Sequence, residues 1–144
     1  MIRGDKGLRI AYALLILNLA VIWGSSLLPG AISRMISGAV QAPIESLIPG
    51  GSPDPELVHI LLRKMAHFTE FACLGVILGW IMDRKNRPWW IAMGLGTLAG
   101  CVDETIQLFV PERGPAVTDA LIDASGVLFG IFLLHTVLRL RKRK

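Results

Sequence analysis

Five carboxylates, a histidine, a glutamine, a lysine and an arginine recur at short spacings inside otherwise apolar sequence. Lys64, His67 and Glu70 follow one another three residues apart in KMAHFTEF. Asp103, Glu104 and Gln107 lie in GCVDETIQLFV, Arg113 follows just after Pro111, and Asp119 and Asp123 stand one helical turn apart in TDALIDASG. On helices, the first set shares one face, Asp103 and Gln107 share another, and Glu104 points about 100° away from them. These residue types support definite chemistry. His67, beside Glu70 and opposite Asp103, is a candidate base or ligand, and the carboxylates Asp103 and Glu104 are a candidate general acid and base. Glu70, Asp103, Asp119 and Asp123 are candidate ligands for a divalent cation able to polarise a phosphate. Lys64, Gln107, Arg113, Asp119 and Asp123 are candidate binding groups. The plainer alternative is a network of ion pairs that glues helices together, with Arg113 on an aspartate and Lys64 on Glu70.

What must position these groups is read from composition. The chain has 144 residues, of which 53% are hydrophobic and 18% charged, and its mean hydropathy is +0.57. The apolar residues come in blocks, as in a membrane protein. The expected fold is all-α and polytopic, a single domain over 1–144 with four transmembrane helices at about 10–28, 66–82, 89–110 and 118–138. The first segment has a basic start and a long apolar run, but no A-x-A-type cleavage site follows, so it reads as a retained helix rather than a signal peptide. In the connection 29–63, Ile32, Met35, Ile36, Ala39 and Val40 recur at helical spacing. They predict a helix lying along the membrane surface and bounded by Pro43, with PGGSPDPE as a turn-rich linker. A disordered outer loop is the alternative.

The formal net charge is +4 and the pI about 9.5, a balance that raises nucleic acid as a partner. Its distribution argues against that. Arg3, Lys6 and Arg9, then Arg84, Lys85 and Arg87, then Arg139, Arg141, Lys142, Arg143 and Lys144 all fall on one side of the four spans. Only Arg34, Arg63, Lys64 and Arg113 fall on the other. The positive-inside rule then puts both termini in the cytoplasm of a multi-pass protein of the cell membrane. With that topology Lys64, His67 and Glu70, Asp103, Glu104 and Gln107, and Asp119 and Asp123 all sit in the outer third of the membrane. Charge inside a membrane helix is costly, so these groups should face one another.

Spans two to four each carry glycines four apart, Gly75 and Gly79, Gly96 and Gly100, Gly126 and Gly130. That spacing permits close helix approach in lipid and predicts a compact bundle of spans two to four, with span one peripheral. Cys73 and Cys101 read as small packing residues, with no zinc or disulfide pattern.

Together, KMAHFTEFACLG and VDETIQLFVPERGPAVTDALIDASGVLFG resemble the VanZ-like family of bacterial membrane proteins. The resemblance rests on Lys64, His67 and Glu70, on Asp103, Glu104 and Gln107, on Arg113, and on Asp119, Asp123, Gly126 and Gly130. Ser25 and Ser26 ahead of a proline are similar to the family's first span, while Phe71 stands where the family often has Tyr. What the resemblance implies is an envelope membrane protein, with tolerance to teicoplanin as the founding member's effect and no settled mechanism.

Three functions follow as expectations. The first is a binding protein that holds a lipid-anchored ligand or lipoglycopeptide in a polar pocket at the outer leaflet, with membrane lipids as partners. The second is a membrane-embedded hydrolase or transferase acting on lipid-linked envelope precursors, with a divalent cation in attendance. The third is a small proton-coupled transporter, which needs a homo-oligomer and a polar path reaching inward; acids confined to one leaflet argue against it.

Overall fold

The computed structural model describes residues 3–45, 54–114 and 116–142. Among them all regular structure is helical: α1 (Arg3–Ser26), α2 (Gly30–Glu45), α3 (Pro55–Arg84), α4 (Trp89–Gln107) and α5 (Val117–Lys142). The all-α expectation holds. Three helices, α1, α3 and α5, are long and apolar enough to cross a membrane by length and composition. The 19-residue α4 is not among them, because Asp103, Glu104 and Gln107 in its last turns lower its hydropathy.

Helix α3 differs most from the sequence reading. Its 30 residues extend over about 45 Å, and it starts well before residue 66. The start is set locally. Asp54 caps the helix by accepting a hydrogen bond from the Glu56 amide at 3.0 Å, and Pro55 stands at the first helical position, where its missing N–H costs nothing. Glu56, His59, Arg63 and Lys64 depress hydropathy without opposing helix formation, so a hydropathy reading stops short of them. Helix α2 begins at Gly30, inside the connection where the surface helix was expected, and continues to Glu45, past Pro43. Much of the PGGSPDPE linker lies outside the described residues, and its Pro55 and Glu56 belong to α3.

Helices α3 and α5 run parallel and make the most extensive contact in the molecule. Glycines set their separation. A Cβ on Gly130 would lie 2.0 Å from the Ala72 carbonyl oxygen, one on Gly75 2.2 Å from that of Val127, and one on Gly126 2.6 Å from that of Phe68. Backbone therefore touches backbone, and the contact energy is van der Waals packing rather than water exclusion. Helix α4 returns antiparallel along the pair, its Gly96 against the Val127 side chain. Ile22, Phe71, Leu74 and Val127, all fully buried, form the centre of the core.

Helix α1 is less peripheral than expected. Most of its surface is exposed, but Ile22 and Ser26, one turn apart, are fully buried, and the Trp23 indole donates to the Ala99 carbonyl at 3.4 Å. Cys73 and Cys101 are free and exposed on the outer faces of their helices. They do not fill the core, because the glycines let main chain take the space that small side chains were expected to occupy.

Candidate functional site

The end of α1, the first half of α3, the end of α4 and the start of α5 meet at one end of the bundle. There His67, Asp103, Gln107, Asp119, Asp123 and Ser26 are all buried. The opposite end carries Lys6, Arg84, Lys85, Arg139 and Lys142, all exposed.

Asp119 neutralises two cations from α3. Lys64 Nζ lies 2.7 Å from its Oδ1 and Arg63 Nη2 lies 3.5 Å from its Oδ2. Arg63 also donates to Gln107 Oε1 at 2.7 Å. Gln107 passes the chain of hydrogen bonds on, giving its amide to Asp103 Oδ2 at 2.9 Å and to Ser26 Oγ at 3.4 Å. Helices α1, α3 and α4 are thus tied through one glutamine, α3 by Arg63 and α1 by Ser26.

Next to this network, His67 Nδ1 sits between two carboxylates, 3.4 Å from Asp123 Oδ1 and 3.8 Å from Asp103 Oδ2. Among the described residues, His67 Nδ1, Asp103 Oδ1 and both Asp123 oxygens are buried without a hydrogen-bond partner. Gly100 packs beside the cluster, where an added Cβ would meet the Asp123 Cβ at 3.4 Å, an ordinary contact.

Several candidates lie elsewhere. Glu104 is turned away from Asp103 and accepts a hydrogen bond from the Ala116 amide at 2.9 Å. It thereby anchors the loop and caps the positive end of α5. Glu70 is half-buried and faces α1 and α2 on a cavity wall. Lys64 pairs with Asp119 rather than with Glu70. Each three-residue step on a helix turns the side chain by 60°, so Lys64 and Glu70 point about 120° apart. Arg113 makes no ion pair among the described residues. Burial, with Arg63 beside it, holds its guanidinium below the usual arginine value, and Asp103 and Glu70 oppose that shift. Its neighbour Glu112 bridges instead to Arg34 of α2, from a left-handed backbone at φ 59°.

A cavity of about 210 Å³ opens between α1, α2 and α3 beside the cluster. Arg63, His67, Glu70 and Arg113 line it together with Ser25, Ser33 and Ser37, and Leu28, Ile36 and Leu62 form its apolar wall. Arg63 was not among the candidate site residues, and Ser26 entered only through the family resemblance. Arg63 stands one turn before His67 on the same face, a spacing that could have found it. Ser26 follows Ile22 by the same interval.

Fold and site define a helical membrane protein with buried ionisable groups gathered at one end of its bundle. The chain belongs to the VanZ/LLP1 family, whose family model matches residues 10–139; the resemblance carried by the motifs is borne out. None of the curated proteins and none of the solved structures matches it.

Proposed function

We propose that this protein is a cell-envelope binding protein that holds the headgroup of a membrane-resident amphiphile in the cavity beside Arg63 and Arg113. The carrying observation is the lining of that cavity. Two guanidiniums and three serines face an apolar wall across it, which suits a ligand with a charged or hydrogen-bonding head and an acyl tail. The lipid-linked ligand or lipoglycopeptide that the family suggests has that form, and tolerance of teicoplanin type is a consequence of such capture.

The membrane frame of this reading has α4 as a fourth span and α2 as an interfacial helix. In its support, α4 runs antiparallel beside α3 between the same two ends, and α2 exposes Ile32, Met35, Ile36 and Val40. The exposed basic end lies in the cytoplasm with both termini, and the buried polar end lies under the outer leaflet.

The test is retention. Full-length protein purified in mild detergent is extracted, and its bound amphiphiles are identified by mass spectrometry; teicoplanin is then added as a probe. Arg63→Gln with Arg113→Gln should lower retention by about tenfold or more, as expected for two lost charge-assisted hydrogen bonds. Asp103→Asn should also weaken it, because the Gln107 to Arg63 relay is disturbed. Equal retention by wild type and the double arginine variant sinks the reading.

A second reading, a membrane-embedded hydrolase or transferase on lipid-linked envelope precursors, is favoured by the position of His67 between Asp103 and Asp123 on the cavity side. Turnover of a labelled precursor that His67→Gln abolishes would establish it in place of simple capture.

A further inference from the structure

Two aspartates with unpartnered oxygens meet a histidine with an unpartnered nitrogen, all three more than nine-tenths buried. The nearby cations are committed elsewhere or stand apart. Lys64 and Arg63 bind Asp119, Arg34 binds Glu112, and Arg113 makes no ion pair among the described residues. Asp103 and Asp123 therefore bring two charges into a region where charge is expensive; among the described residues His67 is the one cationic partner within 4 Å of either, and Arg113 acts on Asp103 only without an ion pair.

We propose that His67, Asp103 and Asp123 hold a divalent first-row metal ion of the zinc or manganese type. The charges match, since two carboxylates and a neutral imidazole around a divalent ion leave no net charge. The two spacings to His67 are close to those of a metal centre as well. One potential ligand atom from each residue lies within 4.8 Å of the others, and His67 Nδ1 is 3.4 Å and 3.8 Å from its two carboxylate neighbours. Donors on a tetrahedral zinc, at about 2.0–2.1 Å each, stand about 3.4 Å apart. An imidazole in the donor set selects such metals over magnesium or calcium, which take oxygen.

The surroundings are those of a metal centre. Gln107 donates to Asp103 Oδ2, the oxygen measured to His67, and leaves Oδ1 without a partner; outer hydrogen bonds of this kind orient ligands. The three ligands come from α3, α4 and α5, so the ion also cross-links the bundle. His67 also belongs to the cavity wall, whereas Asp103 and Asp123 do not line it. The ligand set differs from the four carboxylates suggested by spacing alone, because Asp119 is taken by its two cations and Glu70 faces another helix.

The metal site stands apart from the amphiphile reading and is tested without any amphiphile. Full-length protein in detergent is stripped with a chelator, loaded with Zn²⁺, Co²⁺ or Mn²⁺, freed of excess metal and analysed for metal content. Wild type should retain a stoichiometric ion, and the Co²⁺ form should show the intense visible bands of a low-coordinate site. His67→Gln, Asp103→Asn and Asp123→Asn should each weaken binding at least about a hundredfold, and Gln107→Leu by about 10–100-fold. His59→Gln and His135→Gln should leave it unchanged. As a check that does not depend on variant folding, added Zn²⁺ should raise the unfolding temperature of stripped wild type. Wild type that neither retains any of the three metals nor gains stability from them overturns the proposal. So does equal retention by Asp123→Asn in folded, monodisperse form.

Discussion

The two ends of the bundle use similar residues for opposite ends. At the basic end Arg84 lies over the Trp80 ring at 5.0 Å and Lys85 over the Tyr12 ring at 5.2 Å, with both cations exposed. At the polar end the cations are partly buried, and Asp119 holds Arg63 and Lys64 together. Exposed charge can be solvated or meet lipid headgroups and asks little of the fold. Buried charge demands partners from several helices, and so fixes how those helices sit. The difference teaches that the polar end specifies the arrangement, while the basic end places few demands on it.

That contrast can be broken in graded steps. The largest effect is expected at the α3–α5 crossing on which the polar end depends. Gly130→Leu forces side chain into the space of the Ala72 carbonyl, so loss of folded protein in detergent is expected, a destabilisation of about 4 kcal/mol or more. Gly94→Ala, with nothing within 4 Å of the added carbon, should be neutral or stabilise by up to about 1 kcal/mol. A thermal unfolding curve separates the two.

Next comes the buried pair. Asp119→Ala leaves Lys64 and Arg63 without their carboxylate, and chemical unfolding should show a loss of about 2–3 kcal/mol. That is less than a fully buried pair would give, because Lys64 is a third exposed. Lys64→Met with Asp119→Leu should recover only part of it, since Arg63 stays charged without its carboxylate.

The smallest effects belong to exposed charge. Arg34→Ala, which removes the bridge to Glu112, should cost about 0.5 kcal/mol and less at high salt. Arg84→Gln at the basic end should cost at most about 1 kcal/mol, the scale of an exposed cation–π contact. A loss at Arg84 as large as that at Asp119 would erase the distinction between the ends.

The sequence made part of this legible, and physics explains which part. Apolar blocks and helix-spaced glycines announced α1, α3, α4 and α5, because a helix in lipid writes its length and contact face into hydropathy and small residues. The early start of α3 was hidden, since Glu56, His59 and Lys64 look like loop residues until Asp54 is recognised as a cap. Position along each expected span put His67, Asp103 and Asp123 at one level. It could not assign partners, which depend on rotation about each helix axis. That rotation is why Asp119 goes to Lys64 and Arg63 and why Glu104 caps α5; Arg113, in the loop between α4 and α5, lines a cavity instead of meeting an aspartate. The role of Ser26 was invisible for the same reason.

The central claim is that side chains of α3, α4 and α5 converge on one buried point. Its most direct test is cross-linking in a Cys73→Ser, Cys101→Ser background. His67→Cys combined with Asp123→Cys should join rapidly under a short thiol-bridging reagent such as Hg²⁺, as should Asp103→Cys combined with Asp123→Cys. A His67→Cys, His135→Cys control should not. Failure of both designed pairs in folded protein, or equal bridging of the control, would contradict the account.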